Sequence, residues 1–537
     1  MKKIGVYIIS LLVGVFICSA CLGLLAAVYK QKGRVKQIAK ALYLRFSEGK
    51  PEKTAGKNNI PDADVDFGKE IVIEVDASKK LSYINPLLYG SNLEPKMETE
   101  NDIVEFIKSV GITCFRFPGG GSPGYHWKTG EFDFTDRYLN VPLRSINYAI
   151  DFFKRTDTKP IIQVNVESGT AQEAAEWVEY MNKKANFPVR YWEIGNEVYG
   201  DWDQGYMSAD KYAKVIKDFA VAMKKADPNV KIGMDWAPER KENFNIEVIK
   251  KAGEYIDFVS IHWYPSHTNA THKWEGRIHP TPKEVMANYR QIPRIVKRAK
   301  ELFSKYAPKR TQEVETAFLE WDGAWDGLSS DFPPYSQGIL AWSLANAIFH
   351  ADCLGQFAVN QVSVSTQYNL QEIMHSLIRG WDREAGWGGQ RWDGEIVRPK
   401  AFAIKLYSRH FGDILIDSKI INSPYYFKSP DWWADSYTGD VPYVTCYASR
   451  FSKENKLSLM LINKHAEKNY KVRIRIKGVI PQGTANLWVL NGPNLLSQNE
   501  EHPVNVRIKE YKVENVDDDF TYTIPAHSVN AMEIEFK

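Results

Sequence analysis

Short apolar runs alternate with longer amphipathic stretches along most of the chain after residue 68. KEIVIEVDAS places Ile71, Ile73 and Val75 on one face, and this period of two predicts a strand. The longer stretches, such as AQEAAEWVEYMNKKA, repeat their apolar residues at helical spacing and predict helices. Further strands are predicted at residues 86–92, 112–117, 160–166, 190–195, 230–235, 257–263, 314–320 and 356–364.

These eight later strands alternate with helices over roughly 310 residues, a typical size for a (β/α)8 TIM barrel. We therefore predict an α/β fold with a TIM barrel at residues 84–402. The competing fold is a doubly wound open sheet, which usually has a glycine-rich phosphate turn after its first strand. The sequence has no such turn there.

The pattern changes after about residue 403, where short alternating runs such as KLSLMLINKH and YKVRIRIKG are separated by turn residues. This pattern predicts a C-terminal β-sandwich at residues 403–537. The strand at residues 68–83 precedes the barrel, and we expect it to join that sandwich.

The N-terminal residues 4–29 contain no charged side chain. A run of this length spans a bilayer and exceeds the usual apolar core of a signal peptide. We predict a transmembrane anchor or signal segment at residues 1–29, followed by a basic and polar tether at residues 30–67. The positive residues that follow the run would favour a cytoplasmic body by the positive-inside rule. They are Lys30, Lys32, Arg34 and Lys36.

Composition and charge narrow the classes of function. The chain has 537 residues and a net charge of +3, with lysine and arginine spread along most of it, so nucleic acid is not an expected partner. The cysteines outside the apolar N-terminal run fit neither a zinc site nor a disulfide framework. His262 has no second histidine at ligand spacing, so no metal or other cofactor is expected. Aromatic residues make up 13% of the chain, which fits either core packing or stacking on sugar rings.

The active site of a TIM barrel lies at the carboxyl ends of its strands. Glu197 follows the predicted fourth strand and Glu320 ends the seventh, so the two carboxylates are expected to face each other across the barrel mouth. Hydrolysis of a glycosidic bond needs such a pair, one protonated and one ionised. The alternative is that each glutamate only pairs with a nearby cation. The other strand-end residues are Asn92, Glu94, Arg116, Asn196, His262, Tyr264, Trp321, Asn360 and Gln361.

Several motifs carry a resemblance to a known family. WEIGNE, followed well downstream by FLEWDGAW, resembles the two catalytic strand ends of the retaining clan of TIM-barrel glycosidases. FRFPGGGSPGYHW, FVSIHWYP and LSLMLINKHAEKNYKVRIRI extend the resemblance to family 51 glycoside hydrolases, chiefly α-L-arabinofuranosidases. The resemblance runs from about residue 84 to the C-terminus.

The resemblance implies a role for each of several strand-end residues. Glu197 would be the general acid/base and Glu320 the nucleophile. Asn196 would bind the sugar 2-hydroxyl, and Tyr264 would orient Glu320 and contact the sugar. Glu94 and Gln361 would hold other sugar hydroxyls. From their positions at the strand ends, His262 and Trp321 are further candidate substrate-binding residues.

The sequence departs from the family pattern at two motifs. Gly121 stands where the family's PGGN loop has a sugar-binding asparagine. The nucleophile segment commonly reads DEWN, whereas here Leu319 and Asp322 flank Glu320 and Trp321. Because glycine cannot replace the hydrogen bonds of an amide, these departures bear on sugar specificity rather than on glycosidase chemistry.

Together these features predict a retaining α-L-arabinofuranosidase that acts by double displacement on an oligo- or polysaccharide. The alternatives are a β-xylosidase or endo-glucanase of the same fold, or a non-catalytic carbohydrate-binding protein. Homo-oligomerisation is left open. We predict that the N-terminal segment anchors the protein in a membrane with the catalytic domain extracytoplasmic, or that the protein is secreted if this segment is cleaved.

Two ring-rich segments, residues 381–392 and 425–443, have two readings. They would either form platforms for a sugar chain, with Trp387 and Trp392 as examples, or pack between the barrel and the C-terminal region.

Overall fold

The computed structural model describes most of the chain after the N-terminal region. The described residues are 64–66, 68–95, 97, 99–120, 124–132, 144–268, 281–323, 325–326, 340–372, 375–381, 391–428, 437–500 and 504–537. The predicted anchor at residues 1–29, and the predicted tether apart from residues 64–66, lie outside this set.

None of the helices in the described part of the chain has both the length and the apolarity that crossing a bilayer requires.

Eight parallel strands close into a barrel in which each strand pairs with the strands before and after it in the chain. The eighth strand pairs with the first, which closes the ring. The barrel predicted from the alternating pattern is confirmed. Its strands, numbered first to eighth below, are Gly90–Asn92, Cys114–Phe117, Lys159–Val164, Tyr191–Ile194, Lys231–Trp236, Phe258–Trp263, Glu315–Trp321 and Val364–Gln367.

The predicted position of the eighth strand is wrong. Residues Leu344–Val359 form a helix, and the strand begins only at Val364. Nearly every residue of that helix is buried, including the polar His350 and Asp352, so the run is largely apolar and has no polar face. Such a run does not distinguish a buried helix from a buried strand.

Helices follow the strands, and local sequence marks where several of them begin. Thr170 and Ser208 each accept a hydrogen bond from the backbone three residues on, as N-cap residues do. Thr281 and Glu284 form a capping box. The main helices are Asn101–Val110, Ile146–Thr156, Ala171–Glu179, Ala209–Ala226, Glu242–Ala252, Pro282–Ala287, Ile292–Tyr306, Leu344–Val359 and Pro399–His410.

The region after the barrel is rich in β-structure, as predicted, and is built around a nine-stranded sheet. The early strand Ile71–Tyr83 lies inside this sheet, antiparallel to Ile414–Ile421 and parallel to Tyr470–Lys477. In spatial order the strands are Arg507–Val516, Pro481–Asn491, Ser528–Phe536, Lys456–Asn463, Val444–Arg450, Ile414–Ile421, Ile71–Tyr83, Tyr470–Lys477 and Asp519–Ile524.

Shorter strands complete the described structure. Asp64–Val65 pairs with Tyr425–Lys428, which also pairs with Gly439–Pro442. His267–Thr268 pairs with Trp325–Asp326. Gln371–Glu372, Ile378–Trp381 and Arg391–Val397 form a three-stranded sheet after the eighth barrel strand.

The barrel interior contains two layers of side chains. Because side chains alternate between the two faces of a strand, every second residue points inward, and the layers are two residues apart along each strand. The lower layer is an apolar cluster of Cys114, Ile161, Tyr191, Phe258, Ala317, Leu319 and Val364. Two residues further along their strands, the upper layer contains the buried side chains of Arg116, Gln163, Glu193, Ser260 and Thr366. The strands thus present polar groups at their carboxyl ends, beneath the mouth of the barrel.

Candidate active site

A cavity of about 810 Å³ opens at the carboxyl ends of the strands. Both predicted catalytic residues line it. So do Gly120, Asn196, Trp202, His262, Tyr264 and Tyr368. The structure therefore brings Glu197 and Glu320 together with several of the other strand-end residues.

Glu320 reaches this cavity because of an irregularity in the seventh strand. The register against the sixth strand shifts between Phe318 and Glu320, which makes Leu319 an extra residue. A bulge of this kind lets two consecutive side chains face the same side of a sheet. Leu319 lies in the lower layer, and Glu320 accepts hydrogen bonds above it from Arg116 (2.5 Å) and Tyr264 (3.1 Å).

Glu197 lies just beyond the fourth strand, with a positive φ of 42°. Its two carboxylate oxygens have different partners. Trp202 Nε1 donates to Oε2 over 2.6 Å, and His262 Nδ1 lies 3.1 Å from Oε1. The Glu197 side chain is 20% exposed, against 7% for Glu320, so it is the more accessible of the two carboxylates.

The carboxylates of Glu197 and Glu320 lie close to each other. One carboxylate oxygen of Glu197, one of Glu320 and a ring nitrogen of His262 lie within 4.8 Å of one another. Retaining glycosidases have carboxyl groups about 5–5.5 Å apart, whereas inverting enzymes need about 6.5–9.5 Å to admit a water molecule. The observed spacing belongs to the retaining class.

Arg116 connects Glu193, in the upper layer, to Asn196 and Glu320, which line the cavity. Its guanidinium donates to Glu193 over 2.6 Å and to Asn196 over 2.8 Å, in addition to Glu320. The Arg116 and Glu193 side chains have no exposed surface. Arginine suits this position because its planar group carries several donors in a fixed arrangement.

The ionisation of the site follows from burial and these contacts. Burial acts to raise the pKa of Glu197, but the hydrogen bonds from His262 and Trp202 and the charge of His262 outweigh it, so the pKa is lowered. Burial, with the charges of Glu197 and Glu193, raises the pKa of Glu320 despite His262 and Arg116. Burial alone would lower the pKa of His262, yet the surrounding carboxylates raise it to about 10. The carboxylates around His262 thus favour its protonated form, and its Nδ1 faces Glu197 Oε1.

Asn196 lies at the surface of the cavity, whereas Glu94 lies behind the cavity wall. The Asn196 amide lines the cavity, accepts from Arg116 and donates to Asp203 over 2.9 Å. Glu94 is buried and accepts a hydrogen bond from Tyr368 over 3.0 Å. Tyr368 lines the cavity, so Glu94 lies behind it.

The structure places Gln361 and Trp321 away from the cavity, contrary to the prediction. Gln361 is exposed and precedes the eighth strand, so it lies at the opposite end of the barrel. That error follows from the misplaced strand and applies equally to Asn360, which ends the preceding helix. Trp321 is buried with its ring 5.1 Å from Phe357 and its Nε1 bonded to Ser365. Because the bulge turns Glu320 inward, Trp321 points outward into the packing layer.

Other predicted features lie partly outside the described residues. These include Gly121, Trp387 and the side chain of Trp392. In the second ring-rich segment, Tyr426 is fully buried and its hydroxyl donates to the Lys283 carbonyl. Tyr426 is therefore a packing residue and not a platform.

Sequence reasoning missed four residues of the site: Glu193, Trp202, Asp235 and Tyr368. Glu193 bridges Arg116 and Ser260, and its pKa is lowered to about 2 because Arg116 and His262 outweigh burial. Asp235 accepts a hydrogen bond from the Val198 backbone. A charged residue inside an apolar strand, as in YWEI, was the signal that could have found Glu193. Tyr368 could not be found while the eighth strand was misplaced.

Two groups of side chains in the described part of the chain have the spacing of metal ligands: Glu193, Asp235 and His262, and Glu197, His262 and Glu320. Arg116 already supplies positive charge to Glu193 and Glu320 at hydrogen-bond distance.

Known proteins show similarity to most of this chain. Residues 391–528 match the family model of the α-L-arabinofuranosidase C-terminal domain. α-L-Arabinofuranosidase C of Emericella nidulans is 21% identical over 521 residues, which cover 86% of this chain and 96% of that protein. Intracellular exo-α-(1→5)-L-arabinofuranosidase 1 of Bacillus subtilis is 22% identical over 496 residues, which cover 80% and 92%.

The structure of the thermostable family 51 α-L-arabinofuranosidase from Thermotoga petrophila superposes with a TM-score of 0.72 at 24% identity, covering 87% of this chain and 100% of that one. This likeness shows the same fold. The predicted resemblance to family 51 α-L-arabinofuranosidases is confirmed by the C-terminal family model, by relatives aligned over most of the chain and by the shared fold.

The location predicted for this arabinofuranosidase-like chain, membrane-anchored and extracytoplasmic, is wrong. Relatives from Streptomyces lividans, Bifidobacterium longum and Bacillus subtilis are named intracellular enzymes, although the Streptomyces match covers only 35% of this chain and 36% of that protein. The prediction depended on the apolar length of residues 1–29, and the positive charges after them already opposed it.

Proposed function

We propose that the protein is a retaining glycoside hydrolase that removes α-L-arabinofuranosyl residues from an oligo- or polysaccharide by double displacement. The observation that carries this proposal is the spacing of Glu197 and Glu320, whose carboxylate oxygens lie within 4.8 Å at the mouth of the barrel. The names of the relatives support the arabinofuranoside as substrate.

In the first step the Glu320 carboxylate attacks the anomeric carbon and forms a glycosyl ester, while the glycosidic oxygen takes a proton and leaves. Arg116 and Tyr264 hold Glu320 by hydrogen bonds to its two different oxygens, which fixes the carboxylate for attack. Gly120 leaves the necessary space, since a Cβ there would lie 1.9 Å from Glu320 Oε1.

The proton for the leaving group comes from the pair of Glu197 and His262. Glu197 is the accessible carboxylate: it takes a proton from His262 across the 3.1 Å contact and donates it to the glycosidic oxygen, which leaves Glu197 ionised and His262 neutral. In the second step Glu197 acts as a base, takes a proton from water, and the hydroxide attacks the anomeric carbon to release Glu320. The sugar thereby keeps its anomeric configuration.

Asn196, Tyr264 and His262 are the residues proposed to contact the bound sugar. Asn196 has one amide hydrogen on Asp203 and its oxygen on Arg116, which leaves the second amide hydrogen for the 2-hydroxyl. Glu94 contributes by holding the Tyr368 hydroxyl at the cavity wall. Trp321 and Gln361 lie away from the cavity and are not among the proposed contacts.

The test compares the full-length wild type with Glu320→Gln and Glu197→Gln on a panel of nitrophenyl glycosides, α-L-arabinofuranoside first. Glu320→Gln should lower kcat about 10⁴-fold or more on every substrate. Glu197→Gln should lower it about 10²–10⁴-fold, less when the leaving group is a good one that needs no proton.

Three outcomes separate the alternatives. Turnover of a xyloside or glucan with the same dependence on Glu320 would keep the mechanism and change the sugar. Turnover that persists in Glu320→Gln would contradict the assignment of the nucleophile. Binding of oligosaccharides with no turnover of any glycoside would favour a carbohydrate-binding protein.

A further inference from the structure

A cluster of buried charge surrounds Asp322, two residues beyond Glu320 and outside the cavity lining. Lys400, on helix Pro399–His410, forms an ion pair with Asp322 Oδ2, and neither side chain has exposed surface. Asn346 Nδ2 donates to Asp322 Oδ1 over 2.8 Å, and the Gly323 backbone donates to the same oxygen over 2.7 Å. The end of the seventh strand is thus attached to two helices.

The same lysine holds a second segment. Lys400 Nζ also donates to the backbone carbonyl of His375. The His375 ring packs edge-on against Tyr264, with 6.1 Å between ring centroids. Tyr264 in turn donates to Glu320 Oε2. Lys400 therefore lies behind both supports of Glu320: its own strand and the tyrosine that bonds it.

Stability alone is a weak reason for an ion pair at this depth. Removing two charges from water costs about as much as their attraction returns, and an apolar or neutral pair often serves as well. Since a neutral amide could satisfy the Gly323 donor, the charge at this position needs a reason other than packing.

We propose that Lys400 is a positioning residue for the reaction: by binding Asp322 and the His375 carbonyl together, it fixes the Glu320 carboxylate against Tyr264. Lys400 does not line the cavity and acts only through these neighbours. The inference rests on the proposed function, because it assigns Lys400 to the support of the proposed nucleophile.

A second buried ion pair in the chain serves as a matched control for the pair of Asp322 and Lys400. Lys464 and Asp352 form another ion pair in which neither side chain is exposed, with 2.7 Å between Nζ and Oδ2. Asp352 also accepts hydrogen bonds from Thr445 and Tyr447. This pair joins the helix Leu344–Val359 to the C-terminal region, so it has the same chemistry without a link to Tyr264.

The experiment compares the neutral pairs Asp322→Asn/Lys400→Met and Asp352→Asn/Lys464→Met in the full-length protein. Thermal unfolding gives the stability of each variant. kcat and KM are measured on nitrophenyl α-L-arabinofuranoside, and the concentration of active sites is determined by titration with a covalent inactivator. The first pair should lower kcat roughly ten- to hundredfold with little change in KM, as small misplacements of reacting groups do. The second should leave kcat per site unchanged, whatever its effect on stability.

An unchanged kcat in the first pair, or an equal loss in both pairs, would overturn the proposal. If the double variant does not fold, Asp322→Asn alone serves, because it keeps the shape of the side chain and Lys400 itself; it should lower kcat with KM unchanged, and wild-type kcat would overturn the proposal. A wild type inactive on every glycoside would instead contradict the proposed function.

Discussion

The lower and upper layers of the barrel interior are built by the same strands, two residues apart, yet they differ in chemistry. The second strand contributes Cys114 below and Arg116 above, and the fourth contributes Tyr191 below and Glu193 above. The lower layer is apolar, whereas the upper layer consists of buried polar side chains, including the ion pair of Arg116 and Glu193. Two positions on one strand, two residues apart, therefore differ in role: the first packs the apolar core, and the second places a polar side chain beneath the cavity.

The difference shows how a reactive site is placed in a stable fold. Buried apolar side chains stabilise the barrel without needing specific partners. Buried charges destabilise it unless each is paired and hydrogen bonded. Arg116 and His262 supply the positive charge that lets Glu193, Glu197 and Glu320 lie together. The upper layer is thus sensitive to every loss of charge, and the lower layer only to loss of volume.

The largest effect should come from Arg116→Met. The substitution leaves Glu193 and Glu320 buried without their counter-charge, which costs about 3–5 kcal/mol in the free energy of unfolding. The nucleophile also loses a hydrogen bond, so kcat should fall with stability. Urea unfolding and steady-state kinetics measure the two effects.

Ile161→Ala in the lower layer is the control for Arg116→Met. It should cost about 2–5 kcal/mol through the cavity it leaves, but kcat of the folded enzyme should be unchanged. An equal fall in kcat would show that the two layers do not differ as described.

Gly120→Ala should reduce kcat about a hundredfold while the protein stays folded. The added Cβ would lie 1.9 Å from Glu320 Oε1, so the carboxylate must move. Gly120 does not have a positive φ, so the backbone itself accepts alanine. Gly205→Ala, whose nearest neighbour would lie at an ordinary 3.4 Å, should retain wild-type kcat. Similar kinetics for the two variants would contradict the tight approach to Glu320.

The pH profile of kcat/KM should be bell-shaped, with limbs set by the upper layer. Glu320 must be ionised to attack, so activity falls as the pH drops through its pKa, which burial raises above the ordinary glutamate value. His262 must be protonated, so activity falls again as the pH rises through about 10. His262→Asn should move the alkaline limb to lower pH. An alkaline limb that stays in place would remove His262 from the proton supply.

The smallest effect should come from Trp202→Phe at the cavity mouth, where the ring is 50% exposed. The variant loses the Nε1 hydrogen bond to Glu197, so kcat should fall about fivefold, equivalent to about 1 kcal/mol. The pKa of Glu197 should rise, since that hydrogen bond helps to lower it. Tyr206→Phe, on an exposed ring of the same loop, should leave kcat unchanged.

Much of the barrel was predictable because its second to seventh strands lie in short, largely apolar runs bounded by turn residues. Glu197 and Glu320 could be located because each follows such a run directly. The eighth strand was not predictable, since the helix before it is buried on every side and lacks the period that marks a helix.

Side-chain direction was the harder problem at the site. The bulge at Leu319 puts Leu319 and Glu320 on the same face, so Trp321, which was expected to contact the substrate, points away from the cavity. Arg116 was recognised as a strand-end residue, but its link to Glu193 joins residues 77 positions apart and has no local signal.

The central claim is that Glu320 attacks the sugar directly, without an intervening water. Proton NMR of the first sugar released from an aryl α-L-arabinofuranoside, recorded before the anomers equilibrate, tests this claim most directly. We predict that the initial product is the α-anomer of L-arabinofuranose, with configuration retained. Initial release of the β-anomer would mean a single displacement by water and would contradict the account.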